Sequence, residues 1–247
     1  MKKSYGIICF RKVKNNIEIL LVKKSTTYNF CDFVLGNYRK FNDGHLMRLF
    51  DGMTYYEKSD ILSLQFSILW HRIYHSIPDS TVSDKLARIH TVYLKKKRLF
   101  ENVFLKDSGI RLKRLISQST NCDTRWEFPR GRKEDNSFEQ GLNTALREFK
   151  EETNTDLEKI KIEIQLGTYI ETYIDAGATF QNIYYFATSI GIWEPSVKFN
   201  LNSNIGEIVD IRWLSLVNLQ NMPIEKKYKR ILMNTFKKVI KKWKNDI

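Results

Sequence analysis

The stretch ALREFKEETN, residues 145–154, reads as the end of a helix that carries its charge at the wrong end. Helix C-termini hold a partial negative charge and favour Lys, Arg or His. Here Glu148, Glu151 and Glu152 stand at i, i+3 and i+4. Like-charge pairs at that spacing cost roughly 0.2–0.5 kcal/mol each, before the dipole adds its own penalty. Working back along the chain, Phe138, Leu142, Ala145, Leu146 and Phe149 fall on one narrow apolar stripe at about 100° per residue. The spacing predicts a helix that begins near Ser137, with Ser137 and Gln140 as a capping box and Glu139 in the first turn, where the dipole favours it. Gly141 inside such a helix costs about 1 kcal/mol against Ala and points to a close backbone approach. Glu148 and Glu152 then lie side by side on the flank of the stripe, at the edge of the core, with Glu151 further round. Carboxylates crowded there need positive charge. Arg147 supplies part of it, and a hard divalent cation supplies more, since Mg²⁺ is typically held by one or two carboxylates plus substrate phosphates.

Just upstream, TRWEFPRGRKED (124–135) places Pro129 and Gly131 in a turn surrounded by Arg130, Arg132 and Lys133. A basic turn beside an acidic helix suits phosphates bridged to protein through metal. Gly131, Glu139 and REFKEE (147–152) resemble the Nudix box, G-x5-E-x7-R-E-U-x-E-E-x-G-U. Glu139 to Arg147 keeps the seven intervening residues, and REFKEE matches at every specified position. Two departures stand out. Gly131 and Glu139 have seven residues between them, two more than the pattern, and Asn154 replaces the terminal glycine. Asn is the next-best residue in the left-handed conformation of a helix end. The longer loop, preceded by WEFPRGR (126–132), is similar to the W-x-F-P-K-G-K-like segment of Nudix mRNA-decapping enzymes. The layout looks most like the decapping Nudix hydrolases of African swine fever virus and related large DNA viruses.

The resemblance covers about residues 4–30 and 122–220. It implies an α+β fold, the α/β/α Nudix sandwich with a mixed sheet, carrying an all-helical inserted domain. The Nudix domain would comprise residues 1–35 and 123–247, and residues 36–122 would be a helical insertion that binds RNA. By the same resemblance the protein is a pyrophosphohydrolase that uses Mg²⁺ or Mn²⁺. Glu148 and Glu152 would be direct metal ligands, and Glu151 would bind directly or through water. The Gly131 carbonyl would be another ligand, Arg147 would orient the glutamates, and Glu139 would brace the loop or bind a second metal. IGEIVDIRW (205–213) supplies Glu207 as the distal acid that decapping enzymes place in a later loop. One glutamate, Glu152 foremost, would take the proton of the attacking water; the spacing leaves the identity of the base open. On capped RNA the family reaction yields 7-methyl-GDP and RNA with a 5′-monophosphate.

The rest of the chain agrees with a domain split by an insertion. SYGIICF (4–10) and IEILLV (17–22) read as a β-hairpin. From Tyr38 to Ser119 the periodicity is helical. Thr54 and Glu57 have capping-box spacing, and Ile61, Leu64, Ile68, Leu69 and Ile73 continue at helical intervals. Ser83-Asp84 opens a long helix that carries the basic run Lys95, Lys96, Lys97, Arg98, and a short basic helix follows at about 108–118. Strand texture returns in LGTYIETYI (166–174) and NIYYFATSI (182–190) around the turn Asp175-Ala176-Gly177, then in EIVDIRWLSL (207–216). Pro223 precedes a last helix with an apolar stripe and nine basic residues from Lys226 to Lys244.

Among 247 residues, 42% hydrophobic and 13% aromatic, a folded core is expected and disorder is not. No apolar run approaches the roughly 18 residues of a membrane span, and the basic, briefly apolar start MKKSYGIICFRK reads as a first strand and not as a signal peptide. Three cysteines without CxxC pairing, Cys9, Cys31 and Cys122, suit a reducing compartment, hence the cytoplasm, or the host cytoplasm for a viral protein. A net charge of +13 favours a polyanionic partner, and capped mRNA satisfies both the box and the charge. Arg130, Arg132, Lys133 and the run Lys95 to Arg98 are the candidate phosphate and RNA contacts, with the C-terminal helix beside them. Diphosphoinositol polyphosphates and dinucleoside polyphosphates are alternative substrates of the same enzyme. An RNA-binding module on an idle Nudix fold is the non-enzymatic alternative, which the intact REFKEE disfavours. Trp126, Tyr173, Tyr184 and Tyr185 are candidates to stack on the cap base, though aromatics of this kind are more often core.

Overall fold

A computed structural model describes residues 1–14, 16–73, 84–122, 126–133, 140–175, 178–197, 207–222 and 226–245. Ser83, Ser137, Phe138, Glu139, Ala176, Gly177 and Pro223, singled out in the sequence, lie outside the described residues. The chain opens with β1 (Lys2–Val13) and β2 (Asn16–Lys24). Among the described residues six α-helices follow: α1 (Tyr28–Val34), α2 (Asp43–Asp51), α3 (Tyr55–Ser63), α4 (Phe66–Ile73), α5 (Asp84–Phe104) and α6 (Ile110–Ser117). Then come β3 (Trp126–Glu127), β4 (Arg130–Gly131), α7 (Gly141–Thr153), β5 (Ile160–Ile162), β6 (Thr168–Asp175), β7 (Ala178–Ser189) and β8 (Ile208–Ser215), with α8 (Leu216–Asn221) and α9 (Lys226–Asn245) at the end. Two compact units divide the chain. Met1–Lys24, Arg125–Phe199 and Ile208–Ile247 form the first, and Ser25–Thr124 with Asn200–Glu207 form the second.

The first unit is built on a mixed eight-stranded sheet. β1 runs parallel to β7 from Lys2↔Phe180 to Phe10↔Thr188, while its antiparallel pairing with β2 is confined to Phe10↔Ile19 through Val13↔Asn16. Below Phe10 the two strands of the predicted hairpin part. On the parted edges β3 lies beside β2 at Val22↔Glu127 and Lys23↔Trp126, and β4 lies beside β1 at Tyr5↔Gly131 and Gly6↔Arg130, while β8 lines the other edge of β2. The turn that holds Pro129 and Gly131 therefore sits at this split. Gly6 makes the approach possible: a Cβ there would run into the Pro129 carbonyl and stand 2.6 Å from Cβ of Arg130. The Ile7 N–H donates to the Pro129 carbonyl at 3.1 Å.

Alternation along β1 and β2 sends successive side chains to opposite faces of the sheet. Ile7, Cys9 and Leu20 pack with Ala145 and Phe149 of α7, and with Trp193 and Trp213. Ile8, Phe10, Ile19 and Leu21 pack with Leu232, Phe236 and Val239 of α9. The result is the expected α/β/α sandwich. On α9, Arg230, Lys237 and Lys241 stay exposed opposite that buried stripe.

The second unit is helical around Phe30, Phe33, Phe50, Trp70, Phe100 and Phe104. The Thr54 and Glu57 capping box forms with both of its hydrogen bonds. Glu57 is buried and also accepts from the Thr27 N–H and hydroxyl, at 2.6 and 2.9 Å. One expectation is corrected. The apolar run from Ile61 to Ile73 is two helices, broken at Leu64, whose backbone is extended (φ −97°, ψ 153°). The break turns the chain so that Phe66, Leu69 and Trp70 reach the core while Ile68 stays 46% exposed.

Two arginines of α6, Arg111 and Arg114, clasp Asp43 at 2.6 Å each. The hydrogen bond from Arg111, reinforced by both positive charges, holds the Asp43 carboxyl below its usual range. Its folded pKa is depressed, so the contribution is fully present above the unfolded value of about 3.9 and fades as pH falls through the folded value. Asp43→Asn is expected to cost at most about 1 kcal/mol at neutral pH, because the pair is exposed. In urea melts its deficit against the native chain should shrink below about pH 4.

Candidate active site

Helix α7 carries the box. Gln140 is its extended N-cap (φ −70°, ψ 152°), so the helix begins at Gly141, four residues later than the spacing predicts. The sheet lies close against that first residue. A Cβ on residue 141 would stand 2.5 Å from the Tyr5 ring and 3.0 Å from the Tyr185 hydroxyl, the close approach that the glycine signalled. At the other end Asn154 is left-handed (φ 48°, ψ 36°) and donates to the Ser196 hydroxyl at 3.0 Å. Asn154→Ala is expected to lower stability by about 1 kcal/mol, as a Cβ-bearing residue without Asn's local hydrogen bonding is strained there. Asn154→Gly should change it by less; paired thermal melts check both.

Ala145 and Phe149 are wholly buried, and they anchor the carboxylates at the core edge. Glu148 lies directly over Gly131, where a Cβ on residue 131 would overlap its carboxylate. Arg147 pairs with Glu148 at 3.0 Å and Glu151 at 3.2 Å, and donates to the Arg132 carbonyl at 3.0 Å. It thus ties the box helix to the basic turn. Glu151 is the outlying acid, with a side chain 58% exposed.

Glu152 is the buried one. One oxygen accepts from Lys24 Nζ, and the other accepts the backbone N–H of Arg130 at 3.2 Å. Lys24 Nζ also stands 3.8 Å from Glu127, whose carboxylate accepts from Arg130 Nη2 at 3.0 Å. Arg130 Nη1 reaches the Ser4 hydroxyl at 3.4 Å. Two carboxylates, an ammonium and a guanidinium thus balance in a largely buried cluster, the arrangement that buried charge requires. Lys24 and Glu127 had no role in the sequence reading. Their signal was a charged residue closing the apolar strand IEILLVKK, and another between the aromatics of WEF.

The residues fit a divalent cation. The space above Gly131 is filled by a carboxylate, and the Glu152 carboxylate is already held against a positive charge. Among the described residues no group of three or more His, Cys, Asp and Glu side chains is close enough to form a complete ligand set. Gly131→Ala tests the cradle. The displaced group is the end of a flexible side chain, so stability should change by less than about 1 kcal/mol, whereas with Glu148 as a metal ligand Mn²⁺ affinity and hydrolysis should each fall at least about tenfold. Calorimetric titration alongside a melt separates the two effects.

The other predicted residues are placed as follows. Arg132 and Lys133 are exposed, with Lys133 Nζ 5.6 Å from the Tyr5 ring centre. Glu207 belongs to the second unit, where its carbonyl accepts the Ser25 N–H at 2.8 Å. Lys95, Lys96, Lys97 and Arg98 lie on α5 in that same unit; Lys95 and Arg98 are exposed, and Lys97 pairs with Glu101 at 3.9 Å. Trp126 and Tyr184 are core residues, and Tyr173 stacks on Phe180 with ring centres 5.3 Å apart.

Comparison with known proteins meets this geometry. The NUDIX domain family model matches residues 103–235. The mRNA-decapping protein g5R of an African swine fever virus isolate from a Namibian warthog is 32% identical over 225 residues, spanning 87% of this chain and 86% of that protein. Its counterpart in an isolate from a Kenyan pig is 30% identical over 224 residues, with 87% and 86% covered. A solved C. elegans Ap4A hydrolase binary complex is similar over 99% of both chains, at 13% identity and a TM-score of 0.48. With a matched domain that spans more than half of its length and takes in the whole of REFKEE, this protein belongs to the Nudix family of pyrophosphohydrolases.

Proposed function

We propose that this protein is a decapping hydrolase, which cleaves the cap pyrophosphate of mRNA to release 7-methyl-GDP and RNA with a 5′-monophosphate. The observation that carries the reading is the 30–32% identity to mRNA-decapping proteins across 87% of the chain, well beyond the box itself. In this reading Glu148 and Glu152 hold the catalytic Mg²⁺ or Mn²⁺ together with the Gly131 carbonyl. Glu151, Glu139 and Glu207 complete or supplement the set. The cation supplies charge screening of the pyrophosphate and a more acidic water. Arg147 fixes Glu148 and Glu151 in orientation, as its two ion pairs suggest. Glu152 accepts the proton of the attacking water. Arg130, Arg132 and Lys133 bind phosphates beside the box. Residues 36–122, through Lys95 to Arg98, and the exposed basic side of α9 follow the RNA backbone, in keeping with a net charge of +13.

No described helix is long and apolar enough to cross a membrane, and no disulfide joins the described cysteines Cys9, Cys31 and Cys122. The likeness to viral mRNA-decapping proteins supports action in the cytoplasm, that of the host for a viral protein. The test is incubation with cap-labelled RNA and Mg²⁺ or Mn²⁺, followed by identification of the labelled product. Release of 7-methyl-GDP is expected. Turnover of diphosphoinositol or dinucleoside polyphosphates, with none on capped RNA, would overturn the assignment of substrate and retain that of the enzyme.

A further inference from the structure

The candidate metal site holds an ammonium group that its reading as a metal centre leaves without a task. Lys24 closes β2, and Glu127 sits opposite Val22 in the β2–β3 pair, two residues from Lys24 on the same side of the strand. The register itself therefore delivers Glu127 to Lys24. The Nζ meets Glu152 on one side and stands 3.8 Å from Glu127 on the other. The three side chains are 12%, 5% and 1% exposed, so each charge depends on its neighbours more than on water. Of the two acids, only Glu152 lies on the box helix. Glu127 comes from another strand and is fixed by Arg130 at 3.0 Å.

We infer that Lys24 is the built-in counter-ion of the metal site, with two seats. It neutralises Glu152 while the site is empty. It gives Glu152 up and stays on Glu127 when a divalent cation binds. The inference rests on the proposed reading of Glu152 as a metal ligand. Its consequence is that metal affinity is set by competition. Lys24 lowers it by occupying the ligand, and Glu127 raises it by giving the displaced ammonium somewhere to go. A lysine that merely braced Glu152 would have the opposite effect, because its loss would loosen a ligand.

Mn²⁺ titrations followed by electron paramagnetic resonance, on the full chain without substrate, separate these cases. Lys24→Met is expected to bind Mn²⁺ at least tenfold more tightly than the native chain, and Glu127→Gln several-fold more weakly. In the double variant Glu127→Gln should change affinity by threefold or less, because the ammonium it would have received is gone. Lys24→Met that binds no more tightly, or Glu127→Gln that is equally harmful with and without Lys24, overturns the inference. Glu152→Gln serves as the control: Mn²⁺ binding indifferent to it removes the metal-ligand reading, and the inference with it. Should Lys24→Met fold poorly in chelator, its melting temperature carries the same contrast. A larger rise with Mn²⁺ than in the native chain supports the competition, and an equal or smaller rise overturns it.

Discussion

Glu152→Gln is expected to lower the rate of hydrolysis by at least two to three orders of magnitude while leaving RNA affinity within about threefold of native, a loss in the range that removal of a general base produces. Glu152 is buried at the end of α7, between Lys24 and the Arg130 N–H, so the amide keeps the shape and loses the charge. That substitution takes away both the ligand proposed to hold the cation and the group proposed to accept the proton. It also leaves Lys24 with a weaker partner on one side. Breaking a buried pair outright costs about 3–5 kcal/mol, but Glu127 remains 3.8 Å from the ammonium, and the stability loss should be well short of that figure. A melt beside the kinetics keeps a folding defect from passing as a catalytic one. Turnover at the native rate in a folded variant would contradict the catalytic assignment.

RNA binding is expected to fall steeply with salt. Each basic group that neutralises a phosphate releases a counterion, and on a single strand six such groups imply roughly a three-hundredfold loss of affinity between 50 and 200 mM salt. The exposed Arg132, Lys133, Lys95 and Arg98, with Arg230, Lys237 and Lys241 of α9, are enough to supply that number. Replacing Lys95, Lys96, Lys97 and Arg98 together by Ala should flatten the slope by about 0.7 for each phosphate no longer neutralised. Lys97 already has Glu101 as a partner and is expected to contribute least. Filter binding across a salt series measures the slope. A flat dependence would remove these helices from the RNA-binding surface.

What the sequence revealed was written in local patterns. REFKEE and the apolar stripe of α7 depend on spacing within a few turns, and the left-handed end at Asn154 depends on one residue's conformational preference. The Thr54 cap is likewise a four-residue signal. The features that escaped are those created by distant chain. Gly141 announced a close approach, but the groups that approach it, Tyr5 and Tyr185, arrive from two distant strands that no local pattern names. The break at Leu64 answers the demand of a shared core and outweighs an unbroken helical period. The hairpin was legible, but its parting below Phe10 was not, because the strands that replace each partner, β3 beside β2 and β4 beside β1, come from more than 100 residues further along the chain. The same parting brings Glu127 and Arg130 to Lys24 and Glu152, so the buried charge cluster exists only in the folded sheet.

Where a cation binds decides most directly whether α7 and the Gly131 turn form a metal site. Crystals grown with Mn²⁺ and measured at its absorption edge would give the position without reference to activity. An anomalous peak within direct-ligand distance of both Glu148 and Glu152, close to Gly131, is the predicted result. A peak remote from these carboxylates, or none while Lys24 remains on Glu152 at saturating Mn²⁺, would contradict it.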